Sequence, residues 1–332
     1  MAVILVLRAL GVGDLLTAVP ALRALRRAHP GDRIVLAAPA ALAPLAALTG
    51  AVDAVHPTPG LGATDLPTHP ALAVNLHGRG PQSIADLTAT HPNHLLTHHH
   101  PAYPAVPGPN WVEDIHEVDR WCRLLQHNGI NTDPTDLFLD PPNSDNGHNR
   151  HASLSDADRA GDWADTVVVH PGAGAPARRW PPERYAAVSA HLRESGRRVV
   201  ITGSAAEREG ALAIADAAGV PAGHVLAGVL DLAETASLVA AAALVVCGDT
   251  GIGHLATAVR TPSVLLFGPT PPQWWGPPAG LAHRHRVLWS GTRGDPLGAA
   301  TDPGLLRLTV DEVVAAVDTQ LASTAREFGH VG

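Results

Sequence analysis

The stretch VILVLRALGVGDLLTAVPALRALRRAHP, Val3 to Pro30, indicates the class of fold. Its apolar run VILVL predicts a buried strand, and the leucine- and alanine-rich segment from about Asp14 to His29 predicts a helix. The turn GVGD joins the two, with Gly13 directly before a carboxylate. Strand, glycine turn and helix open many nucleotide-binding domains, but the charge of Asp14 would repel a phosphate bound at that turn.

The turn also departs from the dinucleotide-binding fingerprint GxGxxG, because Leu16 stands where the third glycine would pack the helix against the strand. This departure disfavours a dehydrogenase. The residues alone leave two roles open for Asp14. It is either a first-turn carboxylate that stabilises the helix dipole, or a general base that takes a proton from a hydroxyl at the mouth of a cleft.

Length and composition favour a two-domain protein. The chain has 332 residues, and 45% of them are hydrophobic, which is enough for two packed cores. A net charge of −8 argues against a broad nucleic-acid-binding surface. The 23 residues counted as lysine or arginine are all arginine, so any phosphate contact usually made by lysine must be made by arginine here.

Cysteine usage and the N-terminus bear on the compartment. Cys122 and Cys247 form no CxxC motif, which favours free thiols in a reducing compartment. Arg8 and Asp14 interrupt the first apolar run, and no other run is long enough for a bilayer. We therefore expect a cytoplasmic protein with no signal peptide and no transmembrane segment.

Short apolar runs alternate with helical segments in both halves of the chain, which predicts parallel sheets covered by helices on both faces. Residues 131–162 are rich in Pro, Asp, Asn and Ser and predict a linker. We expect an N-terminal domain over residues 1–150 and a second domain over residues 151–308. A helix over 309–325 follows, with a capping-box sequence that begins at Thr309.

The segment VVVHPGAGAPARRWPPERY places a glycine loop after a strand that ends at His170. Gly172 and Gly174 allow a ligand to approach the loop backbone closely. Arg178 and Arg179 follow, and a guanidinium donates paired hydrogen bonds to phosphate. A surface turn with solvated arginines is the alternative that these residues leave open.

The segment LVVCGDTGIGHLATA predicts a strand, a turn and a helix that begins near Thr250. The free N–H groups of Thr250 and Gly251 would point at an anion, and the helix dipole would add to the attraction. Asp249 fits an N-cap better than a catalyst. His254, one turn into the helix, faces either the cleft or the protein interior.

The histidine run HPNHLLTHHH has the composition of some metal-binding tracts. It has no cysteine or carboxylate partner at zinc spacing and lies in a proline-rich segment, so we predict a solvated loop and no metal site. The residues concerned are His91, His94, His98, His99 and His100.

Three segments, in this order, resemble glycosyltransferase family 9, the ADP-heptose:lipopolysaccharide heptosyltransferases. The family pattern LGxxGD followed by xxxPxLxxL is matched by LRALGVGDLLTAVPALRAL. The HPGA and KRWP elements are matched by HPGAGAPARRWPPERY. The signature DSGxxHLAxAxxxPxxxLFGPTxPxxWxP is matched by DTGIGHLATAVRTPSVLLFGPTPPQWWGPP. The likeness runs over nearly the whole chain.

The resemblance implies the GT-B architecture, an α/β fold of two Rossmann-like domains that face a central cleft, with the helix over 309–325 crossing back to the first domain. It implies that Asp14 is the general base and that Arg178 replaces a lysine that contacts the donor phosphate. Thr250 and Gly251 match residues whose backbone binds the pyrophosphate. Gly172 and Gly174 belong to the donor-phosphate loop. Further candidate contacts to donor or acceptor are Gly13, Asn75, His77, Arg79, His170, Arg179, Glu207, Asp249 and His254.

The function that the resemblance implies is an inverting, metal-independent sugar transfer. A heptose from ADP-heptose would pass to a hydroxyl of a glycan or of a secondary metabolite. No cofactor is expected beyond this nucleotide-sugar co-substrate, and no nucleic acid partner. Peripheral membrane contact is expected if the acceptor is lipid-linked. Two alternatives stay open, a GT-B-fold nucleotide-sugar epimerase and a non-catalytic nucleotide-sugar binding module.

Overall fold

The computed structural model describes residues 1–62, 65–139 and 163–328. The chain divides into two compact units, Met1–Leu139 and Asp140–Gly332. The predicted boundary between residues 150 and 151 lies outside the described residues. None of the helices in the described ranges is long and apolar enough to cross a membrane.

The first unit is a parallel five-stranded sheet covered by helices, as the alternating pattern predicts. Its strands are β1 (Val3–Leu7), β2 (Arg33–Ala38), β3 (Ala54–Pro57), β4 (Leu72–Asn75) and β5 (His94–Leu96). Its helices are α1 (Val12–Thr17), α2 (Val19–Ala28), α3 (Ala43–Ala47), α4 (Gln82–Ala89) and α5 (Glu117–His127), with a 3-10 turn at Ala40–Leu42.

The strands lie in the order β3-β2-β1-β4-β5 and are all parallel. Successive strands are added on one side of β1 as far as β3 and on its other side from β4, so the order of the strands reverses between β1 and β4. The two strands run in register, and Leu7 of β1 lies opposite Asn75 of β4. Their carboxyl ends therefore meet at one point on the edge of the sheet. Ligands of open α/β sheets bind at such reversal points, so this edge is the one to search for a site.

The single helix predicted from about residue 14 to residue 29 is in fact two helices that meet at Ala18. Pro20 lies in the first turn of α2. It has no N–H to donate to the carbonyl of Leu16, and its ring crowds that carbonyl, so the helix cannot continue straight through.

Part of the predicted linker packs on the first unit. Asp136 accepts a hydrogen bond from Arg23 Nη1 on α2 at 2.6 Å, and Leu137 is buried. Residues 131–139 therefore extend the core of this unit. The remaining predicted linker, residues 140–162, lies outside the described residues.

The second unit repeats the architecture. Its strands are β6 (Thr166–His170), β7 (Arg198–Ile201), β8 (Leu244–Gly248), β9 (Ser263–Phe267) and β10 (His285–Trp289). Its helices are α6 (Pro182–Glu194), α7 (Arg208–Ala218), α8 (Leu232–Ala241), α9 (Gly251–Ala258), α10 (Pro272–Trp275), α11 (Pro303–Leu306) and α12 (Val310–Phe328). Short 3-10 turns include Pro176–Arg178 and Ala205–Glu207.

This second sheet has the strand order β10-β9-β8-β6-β7. The order in which successive strands are added reverses between β6 and β8. His170, the last residue of β6, lies opposite Cys247 of β8. The glycine loop that follows β6 and the turn that follows β8 therefore leave the sheet side by side. Two segments that are about 75 residues apart in sequence are brought to one edge by the parallel register.

The C-terminal helix α12 begins at the predicted capping box, which is confirmed. Glu312 accepts a hydrogen bond from the Thr309 backbone at 2.8 Å, and the Glu312 backbone donates to Thr309 Oγ1 at 3.3 Å. The helix packs on α6 and on β8, β9 and β10 of its own unit. Its crossing back to the first domain stays a prediction.

Candidate functional site

The edge of the second sheet at the β6–β8 reversal brings the predicted phosphate-binding segments together. The guanidinium of Arg178 lies beside the turn after β8, where its Nη1 donates to the carbonyl oxygen of Asp249 at 3.4 Å. Its Nε is buried and has no hydrogen-bond partner among the described residues. A buried cationic donor without a partner is costly, so this Nε is a candidate to donate to a bound anion.

Gly174 leaves room for that guanidinium. A Cβ at this position would lie 3.1 Å from Arg178 Nη2, tighter than ordinary van der Waals contact. The glycine thus lets the loop backbone approach the guanidinium, and both groups face the same space.

Helix α9 presents its N-terminus at the same edge. Its N-cap is Thr250, with extended dihedral angles. The prediction that Asp249 is the N-cap is therefore wrong by one residue, because the backbone of Asp249 still belongs to the strand ladder and donates to the carbonyl of Leu266 at 3.1 Å. The first-turn N–H groups, beginning with Gly251, lie close to Arg178, and together they favour an anion.

His170 and Glu207 form the other side of this edge. His170 Nδ1 lies 3.1 Å from the Thr202 hydroxyl, and burial lowers the pKa of His170 to about 4 despite the nearby Glu207 charge. Burial alone would raise the pKa of Glu207, but hydrogen bonds from Ser204 and the charges of His170 and Arg179 hold it below its ordinary value. Near neutral pH this pair is a neutral imidazole and a carboxylate.

Gly172 is required by the position of Glu207. A Cβ at Gly172 would overlap the Glu207 carboxylate group. That carboxylate cannot easily move away, because its Oε2 accepts hydrogen bonds from the Ser204 backbone at 2.7 Å and from the Ser204 hydroxyl at 2.8 Å. The glycine therefore permits a carboxylate directly against the loop backbone.

Arg179, the other arginine of this segment, has a different environment from Arg178. It is exposed, and its Nε and Nη2 both donate to the carbonyl oxygen of Ala173, at 3.0 and 2.9 Å. Arg179 therefore fixes the conformation of the glycine loop.

A partly open cavity lies next to the N-terminus of α9. His254 faces it and packs edge-on against Trp275, with ring centroids 5.8 Å apart. Sequence reasoning did not single out Trp275, although PPQWW follows the end of β9 at the same edge of the sheet. The cavity is lined by Gly248, Asp249, Thr250, Gly253, His254, Thr257, Leu265, Phe267, Trp275 and Pro277.

In the first unit, Asp14 lies in the first turn of α1, at the β1–β4 reversal. Its Oδ2 accepts a hydrogen bond from the Gly11 backbone at 3.1 Å. Its side chain is 27% exposed, so the carboxylate is within reach of solvent and of a ligand. Gly13 precedes it in the same turn of helix.

A buried arginine that was not among the predicted site residues holds this turn. Arg8 is 1% exposed, and its Nε donates to the Asp14 carbonyl at 2.9 Å. Its Nη2 lies 3.4 Å from Asp14 Oδ1 and 3.2 Å from Glu117 Oε1. The available signal was an arginine one residue beyond an otherwise apolar strand, at the strand's carboxyl end.

The three candidates that follow β4 have different environments. Asn75 is fully buried, and its Nδ2 donates only within the protein, to Gly78, Ser83 and Thr97. His77 is half-buried, and burial together with the Arg8 charge lowers its pKa against the opposing carboxylates. Arg79 is exposed and pairs with Glu113 at 3.2 Å. Of these three, His77 is the one that lies near Asp14.

The histidine run is only in part the solvated loop that was predicted. His91, His94 and His99 are exposed, but His94 begins strand β5 and His98 is 4% exposed. The His98 ring lies edge-on to Trp111 and Trp121, at centroid distances of 4.9 and 5.8 Å. Within the described residues, no group of three or more His, Cys, Asp or Glu side chains is arranged to hold a metal ion.

Solved structures resemble this fold over nearly its whole length. The structure of Escherichia coli ADP-heptose lps heptosyltransferase II matches with a TM-score of 0.74 and 23% identity, over 96% of this chain and 98% of that one. E. coli heptosyltransferase WaaC with ADP matches with a TM-score of 0.67 and 20% identity, over 96% of this chain and 99% of that one. The likeness confirms the predicted GT-B fold class.

Sequence comparison identifies the family. Lipopolysaccharide heptosyltransferase 2 of E. coli strain K12 is 35% identical over 116 residues, which are 34% of this chain and 32% of that protein. The match thus spans about a third of the relative's length. The family model for glycosyltransferase family 9 (heptosyltransferase) matches residues 109–297, which contain both segments of the β6–β8 edge. Since that model covers more than half of the chain, the protein belongs to glycosyltransferase family 9.

Proposed function

We propose that the protein transfers a heptosyl group from ADP-heptose to a hydroxyl of a glycan or small-molecule acceptor, with inversion at the anomeric carbon and without a metal ion. The observation that carries the proposal is the guanidinium of Arg178 at the N-terminus of α9, with its Nε unpartnered. Family membership and the relatives' names support a heptosyl donor, and the name of the similar solved structure, ADP-heptose lps heptosyltransferase II, supports its ADP-linked form.

The donor end of the reaction needs charge stabilisation. As the bond between the anomeric carbon and the diphosphate breaks, negative charge grows on the ADP oxygens. Arg178 and the first N–H groups of α9 would neutralise that charge, which is the role a divalent cation has in other enzymes. These cationic and dipolar groups are the reason to propose that no metal is needed.

The acceptor end needs a base. The attacking hydroxyl forms the new bond to the anomeric carbon and gives up its proton, which we assign to Asp14. A single carboxylate base and a direct displacement invert the configuration. The role is supported by the partial exposure of Asp14 and by its fixed position in the first turn of α1.

We assign the remaining candidate residues of the second unit to contacts with the donor. Glu207, held as a carboxylate against Gly172, would accept hydrogen bonds from ribose hydroxyls. His254 and Trp275 line the cavity beside α9. The acceptor is a lipopolysaccharide in the relatives' names, and we extend that class to this chain as any glycan or small molecule with a suitably placed hydroxyl. Two free cysteines, Cys122 and Cys247, fit a cytoplasmic location.

The donor is tested first. Thermal shift is measured with ADP, GDP, UDP and dTDP, and with ADP-heptose, in buffer containing EDTA. We expect ADP and ADP-heptose to raise the melting temperature most. Stabilisation by none of these ligands would overturn the proposal, and stabilisation by another nucleotide alone would overturn its donor assignment.

The base is tested by Asp14→Asn, with Asp119→Asn on the exposed face of α5 as the matched control. ADP release from ADP-heptose is measured with a lipopolysaccharide-derived oligosaccharide as the acceptor probe, and the product anomer is read by NMR. Asp14→Asn should keep ADP binding and lose about 10²- to 10⁴-fold in turnover. Donor turnover to an epimer without acceptor would favour the epimerase, and ADP-heptose binding with no turnover would favour the binding module.

A further inference from the structure

The carboxylate assigned as base is held by a buried charge network whose members come from four separate segments. Arg8 follows β1, Asp14 and Thr17 lie on α1, Leu76 follows β4, and Glu117 begins α5. We infer that Arg8, anchored by Glu117, is a positioning residue for the transfer reaction. The inference rests on the proposed role of Asp14.

Arg8 makes two contacts with Asp14. Its Nε donates to the Asp14 carbonyl at 2.9 Å, which fixes the backbone of the turn. Its Nη2 lies 3.4 Å from Oδ1, which limits the rotation of the carboxylate. The Gly11 N–H holds Oδ2 at 3.1 Å from the other side. The carboxylate therefore has one orientation.

Further hydrogen bonds hold the Arg8 guanidinium in place. Its Nη2 also donates to Thr17 Oγ1 at 3.2 Å, and its Nη1 donates to the carbonyl oxygen of Leu76. The planar guanidinium fork reaches all of these acceptors from one position, with the two hydrogens of Nη2 shared among Asp14, Thr17 and Glu117. Its carbon lies 4.7 Å from the centre of the Trp121 ring. A lysine at this position would carry the charge but could not span the same acceptors.

Glu117 is the counter-charge of Arg8 and is itself held in place by hydrogen bonds. Its Oε1 accepts from Arg8 at 3.2 Å and from Trp121 Nε1 at 3.0 Å. Its Oε2 accepts from Arg120 Nε at 2.9 Å. Glu117 and Arg120 are both less than 10% exposed. A buried ion pair is weak evidence for stability, so a network this complete is better explained by the specific geometry that it imposes on the site.

Two conservative variants test the inference. Arg8→Lys keeps the charge and removes the fork, and Glu117→Gln keeps the shape and removes the counter-charge. Arg23→Lys, whose arginine binds Asp136 and the Thr49 carbonyl, is the matched control. Circular dichroism and melting temperature report folding, and ADP binding is measured by titration. We expect turnover with the oligosaccharide probe to fall by about 10- to 100-fold in both variants, with ADP affinity and the control unchanged.

A double-mutant cycle separates positioning from a merely structural role. If Arg8 acts through Asp14, the Arg8→Lys substitution has little further effect in an Asp14→Asn background. An equal loss in both backgrounds, or wild-type turnover of a folded Arg8→Lys or Glu117→Gln protein, overturns the inference. Should Arg8→Lys fail to fold, the same cycle is run with Glu117→Gln. Wild-type turnover of Asp14→Asn would instead overturn the proposed base, and the positioning role with it.

Discussion

Arg178 and Asp249 are 71 positions apart, yet the Arg178 guanidinium donates to the Asp249 carbonyl oxygen at 3.4 Å. This contact joins the loop after β6 to the turn after β8. It places a cationic side chain and the N-terminus of α9 around one space, with the Arg178 Nε unpartnered. Diphosphate affinity should therefore depend on this arginine more than on its neighbour Arg179, which is occupied by the loop carbonyl of Ala173.

Replacing Arg178 tests that dependence. A charged hydrogen bond contributes about 1.5–3 kcal/mol, so Arg178→Ala should weaken ADP binding by roughly 10- to 100-fold. Arg178→Lys should recover part of the loss, because it keeps the charge but not the fork. Isothermal titration with ADP measures both. Arg286→Ala, at an exposed position on β10, is the control. Equal affinity of Arg178→Ala and the control would contradict the assignment.

Gly172→Ala should perturb the second unit through Glu207. The added Cβ would overlap the Glu207 carboxylate, and moving that group breaks its two hydrogen bonds from Ser204. We expect a loss of about 1–3 kcal/mol in the free energy of unfolding, measured by denaturant titration. A Glu207→Ala substitution in the same protein should recover most of it.

Gly210→Ala is the matched control for that experiment. A Cβ at Gly210 on α7 would meet no atom within 4 Å. Because alanine is the better helix former, this variant should be as stable as the parent or slightly more stable. If Gly172→Ala is also as stable as the parent, the Glu207 carboxylate does not lie against the loop backbone as described.

The first unit should lose stability in mild acid because of His98. Burial and the charge of Arg120 lower the pKa of His98 to about 4, with Glu117 opposing them. The unfolded chain therefore binds this proton at a higher pH than the folded one. The contribution of neutral His98 to the free energy of unfolding is complete above pH ~6.5. It decreases by up to ~1.4 kcal/mol for each pH unit between about 6.5 and 4.

His98→Phe removes that titration and keeps an aromatic ring between Trp111 and Trp121. We expect its free energy of unfolding to fall less steeply between pH 6.5 and 4 than that of the parent, as measured by urea titration at several pH values. His99→Phe, at an exposed neighbouring position, should leave the slope unchanged. Parallel slopes for the parent and His98→Phe would contradict the assignment.

Much of the fold could be predicted from local patterns. The apolar run VILVL forms β1, and the turn GVGD, the loop HPGAG and the turn CGDTG each lie at the carboxyl end of a strand, as their composition indicates. The capping box at Thr309 formed as predicted, because its two side chains are only three residues apart. Such features depend on neighbours in the chain, so the sequence alone determines them.

Tertiary packing decided what local patterns could not. The family resemblance implies a phosphate contact for Arg178 and a further substrate contact for Arg179. Only the fold shows that Arg178 donates to the Asp249 carbonyl, whereas Arg179 donates to the Ala173 carbonyl. The histidine run predicts a solvated loop, but packing against Trp111 and Trp121 buries His98. In each case the deciding atoms belong to residues distant in sequence.

The clearest division is at Asp14. The sequence determined that a carboxylate stands in a glycine turn at the start of a helix. It did not disclose that Arg8 would turn inward to hold that carboxylate, since the anchoring Glu117 is 109 positions away from Arg8. A buried guanidinium is stable only where its counter-charge and hydrogen-bond acceptors converge, and that convergence exists only once β1, β4 and α5 have packed together.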